Sequence, residues 1–171
     1  MTSRIKNAID VFLDALNNGT LAKGTCVACA VGNLVAHDIG VKIFKNQYED
    51  FDTKNSLSWA WSNLFLTVSG KQNINFDKNS KHYKNGIKSI SYTEFTIDEL
   101  KRIEFVFETN TKIHYRDYKY FSNKEIFQDQ LKGLEAVVKI MLTFDKQVDK
   151  VKKVFTEKAI ANNKKQLLCQ I

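Results

Sequence analysis

The chain has 171 residues, of which 43% are hydrophobic and 26% charged, with no proline, three cysteines and a formal net charge of +7. This balance fits one domain with a full-sized core. An odd cysteine count with two close neighbours excludes a secreted disulfide framework, and no run approaches the ~18 apolar residues of a membrane span. A cytoplasmic protein with no membrane attachment is expected.

The N-terminal segment "MTSRIKNAIDVFLDAL" carries Arg4, Lys6, Asp10 and Asp14, so it reads as an amphipathic helix and not as a signal peptide. Ser3 is the expected cap, Ile5, Ile9, Phe12, Leu13 and Leu16 make its apolar stripe, and "NNG" at 17–19 ends it. A second helix is expected from Cys26 to about Ala36, capped by Thr25, followed by a short strand in "VKIFKNQY". After the polar loop 49–56, "LSWAWSNLFLTVSG" fits a helix better than a strand by length. A loose β-hairpin around 70–92, turning at Asn85-Gly86, is the one non-helical candidate of any size.

The C-terminal half is more sharply punctuated. "FTIDEL" and "FSNKEI" repeat one grammar, with Thr96 and Ser122 as N-caps, Glu99 and Glu125 closing capping boxes, and Phe95/Leu100 and Phe121/Ile126 as hydrophobic staples. The helix from 123 has a broad apolar face suited to the middle of a bundle, and a basic last helix is expected from about Gln147. The fold expected is mainly α, a single-domain helical bundle over 1–171.

The stretch "GTCVACAVGNLVAH" looks most like chemistry. Cys26-x-x-Cys29 is half of a zinc site, yet His37 lies ~12 Å beyond Cys29 on a continuous helix at ~1.5 Å per residue. A redox pair would use the helix dipole to acidify a thiol, but the βαβ setting of such proteins is missing. Small-residue packing accounts for every position. Ala28, Gly32 and Ala36 make a smooth face, Val27, Val31 and Val35 an apolar one, and Asn33 is a polar group in need of a partner. A metal or thiol function on Cys26, Cys29 and His37 therefore stands as the alternative to binding, and no cofactor is expected.

Charge offers the other lead. Residues 1–60 balance, whereas 61–120 carry ten basic and seven acidic residues and 121–171 carry ten and six. Such an excess favours acidic partners. Only Arg4, Arg102 and Arg116 are arginine, and lysine-rich, asparagine-rich composition also follows from an AT-rich genome. In "TKIHYRDYKYFS", Lys112, His114, Arg116 and Lys119 are interleaved with Tyr115, Tyr118 and Tyr120, the pattern by which single strands are gripped through phosphates and bases. Lys78, Lys81, Lys84 and Lys88 surround His82 and Tyr83, and Lys152 and Lys153 lie in the basic last helix. The plainer reading of all three is solvated surface, with tyrosines tucked against helices. No pair of carboxylates stands out for acid/base work, and no Gly-rich phosphate loop, GxSxG or HExxH occurs. The partner expected is RNA, DNA or a nucleic-acid-handling protein such as a defence nuclease, and the protein is read as non-enzymatic.

The phrases "LNNGTLAKGTCVACAVGN", "FTIDELKRIEFVFETNTKI" and "DQLKGLEAVVKIML" resemble uncharacterised small helical proteins of AT-rich bacteria and their phages. The resemblance brings no activity and no functional residue. It implies context: small phage-borne proteins without catalytic motifs are often inhibitors or adaptors.

Overall fold

A computed structural model describes residues 2–44, 47–48, 77 and 79–144. The described part is mainly helical, with α1 (Ser3–Asn17), α2 (Ala30–Asp38), α3 (Lys81–Tyr92), α4 (Ile97–Asn110), a 3₁₀ helix η1 (Tyr115–Tyr120) and α5 (Asn123–Phe144). None of these helices is long and apolar enough to cross a membrane. The helix expected over 57–68 and the basic helix from 147, with Lys152 and Lys153, lie outside the described residues.

α1 buries its expected stripe, although Thr2 takes the cap position and makes no side-chain cap bond. Helix α2 starts at Ala30, not at Cys26. Cys29 is its N-cap, and the residues before it form a turn held by Cys29 N–H to the Thr25 carbonyl (3.0 Å) and Ala22 N–H to that of Ala28 (2.7 Å). Seven consecutive α2 residues, Ala30 to Ala36, are buried. α2 is thus the central helix, touching α1, α3 and α4. Its buried Asn33 finds full satisfaction: the amide donates to the carbonyls of Ala28 (2.9 Å) and Cys29 (3.1 Å), and Thr20 Oγ1 donates to Asn33 Oδ1 (2.8 Å). The expected strand is a minute antiparallel pair, β1 (Ile43–Phe44) with β2 (Gln47–Tyr48), in which Ile43 faces Tyr48.

The hairpin expected around 70–92 is corrected over its second arm, where 81–92 is helical. Ser80 caps α3 by accepting the Tyr83 N–H (3.1 Å), and Gly86, Ser89 and Ile90 face inward at helical spacing. A helical face that packs on α2 therefore outweighs the Asn85-Gly86 turn signal. The remaining hairpin residues, 70–76 and 78, lie outside the described part.

Among the described helices, α4 and α5 form the most extensive pair and run antiparallel. Arg102 stacks over Phe144 at one end (5.0 Å), and Asp129 reaches the 112–113 backbone at the other. Both capping boxes are present, Thr96 with Glu99 and Ser122 with Glu125. Arg4 ties α1 to the start of α4 through a bidentate pair with Glu99 (3.0 and 3.1 Å), a bond to the Glu94 carbonyl (3.1 Å) and a stack over Phe95 (4.9 Å).

Glu94, just past the end of α3, has φ 58° and is the one non-glycine residue with positive φ among the described residues. Helices commonly place glycine there because a Cβ in the left-handed region costs roughly 1–2 kcal/mol. Glu94→Gly keeps the carbonyl that holds Arg4 and is expected to raise unfolding free energy by about 0.5–1 kcal/mol, after the unfolded-state entropy of glycine is offset. Urea denaturation reads this directly, and a drop in stability would show that the Glu94 side chain outweighs the strain.

Candidate functional site

The basic, tyrosine-rich segment begins where α4 ends. Two carbonyls in the last turn of α4 and just beyond, those of Glu108 (2.6 Å) and Thr111, accept hydrogen bonds from Lys23 Nζ. A cation at this negative helix end is favourable. The Lys23 backbone carbonyl accepts the Tyr115 N–H (3.1 Å), which fixes the start of η1 against the 21–24 loop. Glu108 returns the contact, its carboxylate accepting the Gly24 N–H (3.0 and 3.2 Å). From α5, Asp129 accepts the backbone N–H of Lys112 (2.9 and 3.0 Å) and of Ile113 (2.8 Å).

His114 caps η1: its Nδ1 accepts the Arg116 N–H (3.2 Å), and its ring stacks on Tyr115 with centroids 4.8 Å apart. The other edge of the imidazole lies against Gly24, where a Cβ would stand 2.0 Å from Nε2. Tyr118 points inward. Its hydroxyl accepts from Gln130 Nε2 (2.8 Å) and donates to the Leu21 carbonyl (3.4 Å), and Gln130 Nε2 donates to that same carbonyl. Burial pushes the Tyr118 phenol pKa up, which keeps it a neutral donor.

A 3₁₀ helix has three residues per turn, so residues three apart share a face. Tyr115 and Tyr118 form the half-buried inner face. Arg116 and Lys119 share a second, fully exposed face, and Asp117 and Tyr120 the third. Tyr120 is 72% exposed and Phe121 41%. Each outward cation lies on a neighbouring ring: Arg116 over Tyr115 (5.6 Å), with Nε bonded to its hydroxyl (3.2 Å), and Lys119 over Tyr120 (4.8 Å). The result is a rigidly backed turn with its charges and one large ring in solvent.

The chain matches no family model, no curated protein and no solved structure.

The structure sorts the expected binding residues into three groups. Lys112, Arg116 and Lys119 are exposed, and the half-buried Tyr115 lies under the Arg116 guanidinium. His114 and Tyr118, expected as contact residues, are supports whose ring nitrogen and hydroxyl are engaged within the fold. Lys81, Lys84 and Lys88 line one exposed stripe of α3, with Lys88 near the Tyr92 ring (6.0 Å). This stripe is on a separate element that rests on α2, whereas η1 is fastened to the 21–24 loop and α5. Lys78, Lys152 and Lys153 lie outside the described residues.

Cys26, Cys29 and His37 are not gathered into a site. Among the described residues no group of three His, Cys, Asp or Glu side chains is placed to hold a metal ion. Cys29 is fully buried; its thiol donates to the Cys26 carbonyl (3.3 Å) and accepts the Gly32 N–H (3.4 Å). The adjoining Cys26 thiol and complete burial push the Cys29 pKa well above the ordinary thiol value. A catalytic thiol needs the opposite shift. His37 is exposed and pairs with Asp38 (2.9 Å).

The supports of the turn have no signature in the sequence. Lys23, Glu108, Asp129 and Gln130 carry no motif, and Gly24 alone offered a signal, as a glycine where backbone approach is close.

Proposed function

We propose that the protein is a non-enzymatic binding or inhibitory protein, of the kind encoded by phages or mobile elements, whose partner is RNA, DNA or a protein that handles them. The reading is carried by one observation: Arg116 and Lys119 project from the same face of a turn braced by Lys23, Glu108, Asp129 and Gln130, each against an aromatic ring. Exposed cations on a rigid support suit phosphate or carboxylate recognition, because ordering costs little on binding. The lysine stripe of α3 adds positive charge on a helix with no acidic residue. The buried, engaged Cys29 gives no support to a thiol or metal reaction.

Arg116→Glu combined with Lys119→Glu is expected to weaken polyanion binding by about tenfold or more at low salt and to lower the salt slope by about two. The melting temperature should stay nearly unchanged, because both side chains are exposed and neither bonds to another element in the described contacts. The check is equilibrium binding to RNA and DNA at two ionic strengths. Unchanged binding would remove this turn as the interface.

A further inference from the structure

We infer that the surface on η1 takes a single-stranded nucleic acid, with phosphates along Arg116 and Lys119 and a base on the Tyr120 ring. This rests on the polyanion-binding reading above and specifies its ligand.

The geometry separates the jobs. Arg116 and Lys119, three residues apart on a 3₁₀ helix, stand ~6 Å apart along its axis at ~2 Å per residue. They form a short cationic rail that serves neighbouring phosphates. Tyr120 stands on the adjoining face, 72% exposed, with the Lys119 ammonium 4.8 Å from its centroid. The ammonium lies over one face of the ring, and most of the ring remains in water. Phe121, 41% exposed, follows at the end of the turn. A ring left in solvent forgoes the gain of burial, whereas Tyr118 in the same turn is tucked away with its hydroxyl bonded. The difference between the two tyrosines is what a stacking platform requires: one anchors, one is offered.

A duplex keeps its base faces stacked inside and has nothing to lay on such a ring. A single strand offers both phosphates and open base faces. Neither stacking nor phosphate contact depends on the sugar, so RNA and DNA strands should bind within a few-fold of each other. An acidic protein would satisfy the cations without needing a flat ring, and it is the competing outcome of the test.

The experiment is fluorescence anisotropy with short oligo(dT), oligo(rU) and a duplex of the same length, at low and moderate salt. The wild type should bind both single strands more tightly than the duplex. Tyr120→Leu should weaken single-strand binding about tenfold, within the range of one lost base stack, with the salt slope unchanged. Tyr120→Phe should bind like the wild type. Circular dichroism melting confirms that these exposed-site variants stay folded. If Tyr120→Leu binds as the wild type does, or the duplex binds as tightly as the single strands, the stacking inference is overturned. In that case loss of binding in Arg116→Glu/Lys119→Glu would leave the charged surface standing. If no oligonucleotide binds at low salt, the inference falls together with the nucleic-acid reading.

Discussion

Gly32→Ala is expected to lower unfolding free energy by about 3–5 kcal/mol, the opposite sign to an ordinary glycine-to-alanine change in a helix, which stabilises by about 0.5–1 kcal/mol. Gly32 is the third residue of α2, and a Cβ there would stand 2.0 Å from the Val27 carbonyl oxygen and 2.4 Å from both the Val27 carbonyl carbon and the Cys26 oxygen. All three are backbone atoms, so no rotamer change relieves the clash. The turn would have to move as a unit, yet it is fixed by Ala22 and Thr25 on one side and by the Asn33 amide on the other. Displacing it strips partners from the buried Asn33, at about 1–3 kcal/mol for each polar group left unsatisfied. Since α2 touches three other helices, the loss should appear in global unfolding, as a lower urea midpoint with an unchanged m-value. A neutral or stabilising result would mean the 25–29 turn does not lie over α2.

The same glycine marks the boundary of what local sequence conveys. Ala28, Gly32 and Ala36 are buried as their spacing suggests, and Asn33 is bonded as a buried amide must be. The reason for the small residue is different from the one the spacing implies. At Gly32 the close neighbour is the preceding turn of the chain itself, where an i, i+4 pattern suggests another helix. A true helix–helix approach occurs at Gly133, whose Cβ would stand 2.4 Å from Thr111 Cγ2 and 2.9 Å from Phe107, and nothing in the pattern around it marks that contact. Thr96 with Glu99 and Ser122 with Glu125 were legible because each box closes within four residues. The sequence misleads at α3, where Asn85-Gly86 is a strong turn signal in isolation and only the packing of Ile90 and Ser89 against the core overrides it. The candidate surface was visible as composition, basic residues among aromatics, without its geometry. Which tyrosine turns inward depends on Leu21 and Gln130, 97 and 12 residues from Tyr118. Such partners have no local signature, so Tyr118 and Tyr120 read alike until the fold separates them.

Gly24 joins stability to the candidate function, and its replacement by alanine should affect both. Its φ of +88° is unfavourable for any residue with a Cβ, at about 1–3 kcal/mol. The added methyl would also stand 2.0 Å from His114 Nε2, 2.3 Å from Cδ2 and 2.7 Å from Cε1. The imidazole is a side chain and can swing away. Doing so removes the cap on the Arg116 N–H and the stack on Tyr115, the two contacts that shape the exposed end of η1. Gly19 supplies the control, with φ +66° and no atom of the described residues within 4 Å of its Cβ position. Gly19→Ala should cost only backbone strain, about 1 kcal/mol, and leave binding unchanged. Gly24→Ala should cost about 2–4 kcal/mol and weaken oligonucleotide binding at temperatures where the variant is still folded. Arg116→Glu/Lys119→Glu should give the reverse pattern, with binding lost and stability kept. Urea denaturation beside anisotropy on these three proteins separates a surface that works through its charges alone from one that needs them held in place. If Gly24→Ala is destabilised yet binds as the wild type does, the brace around His114 serves folding only, and the cations act without being positioned.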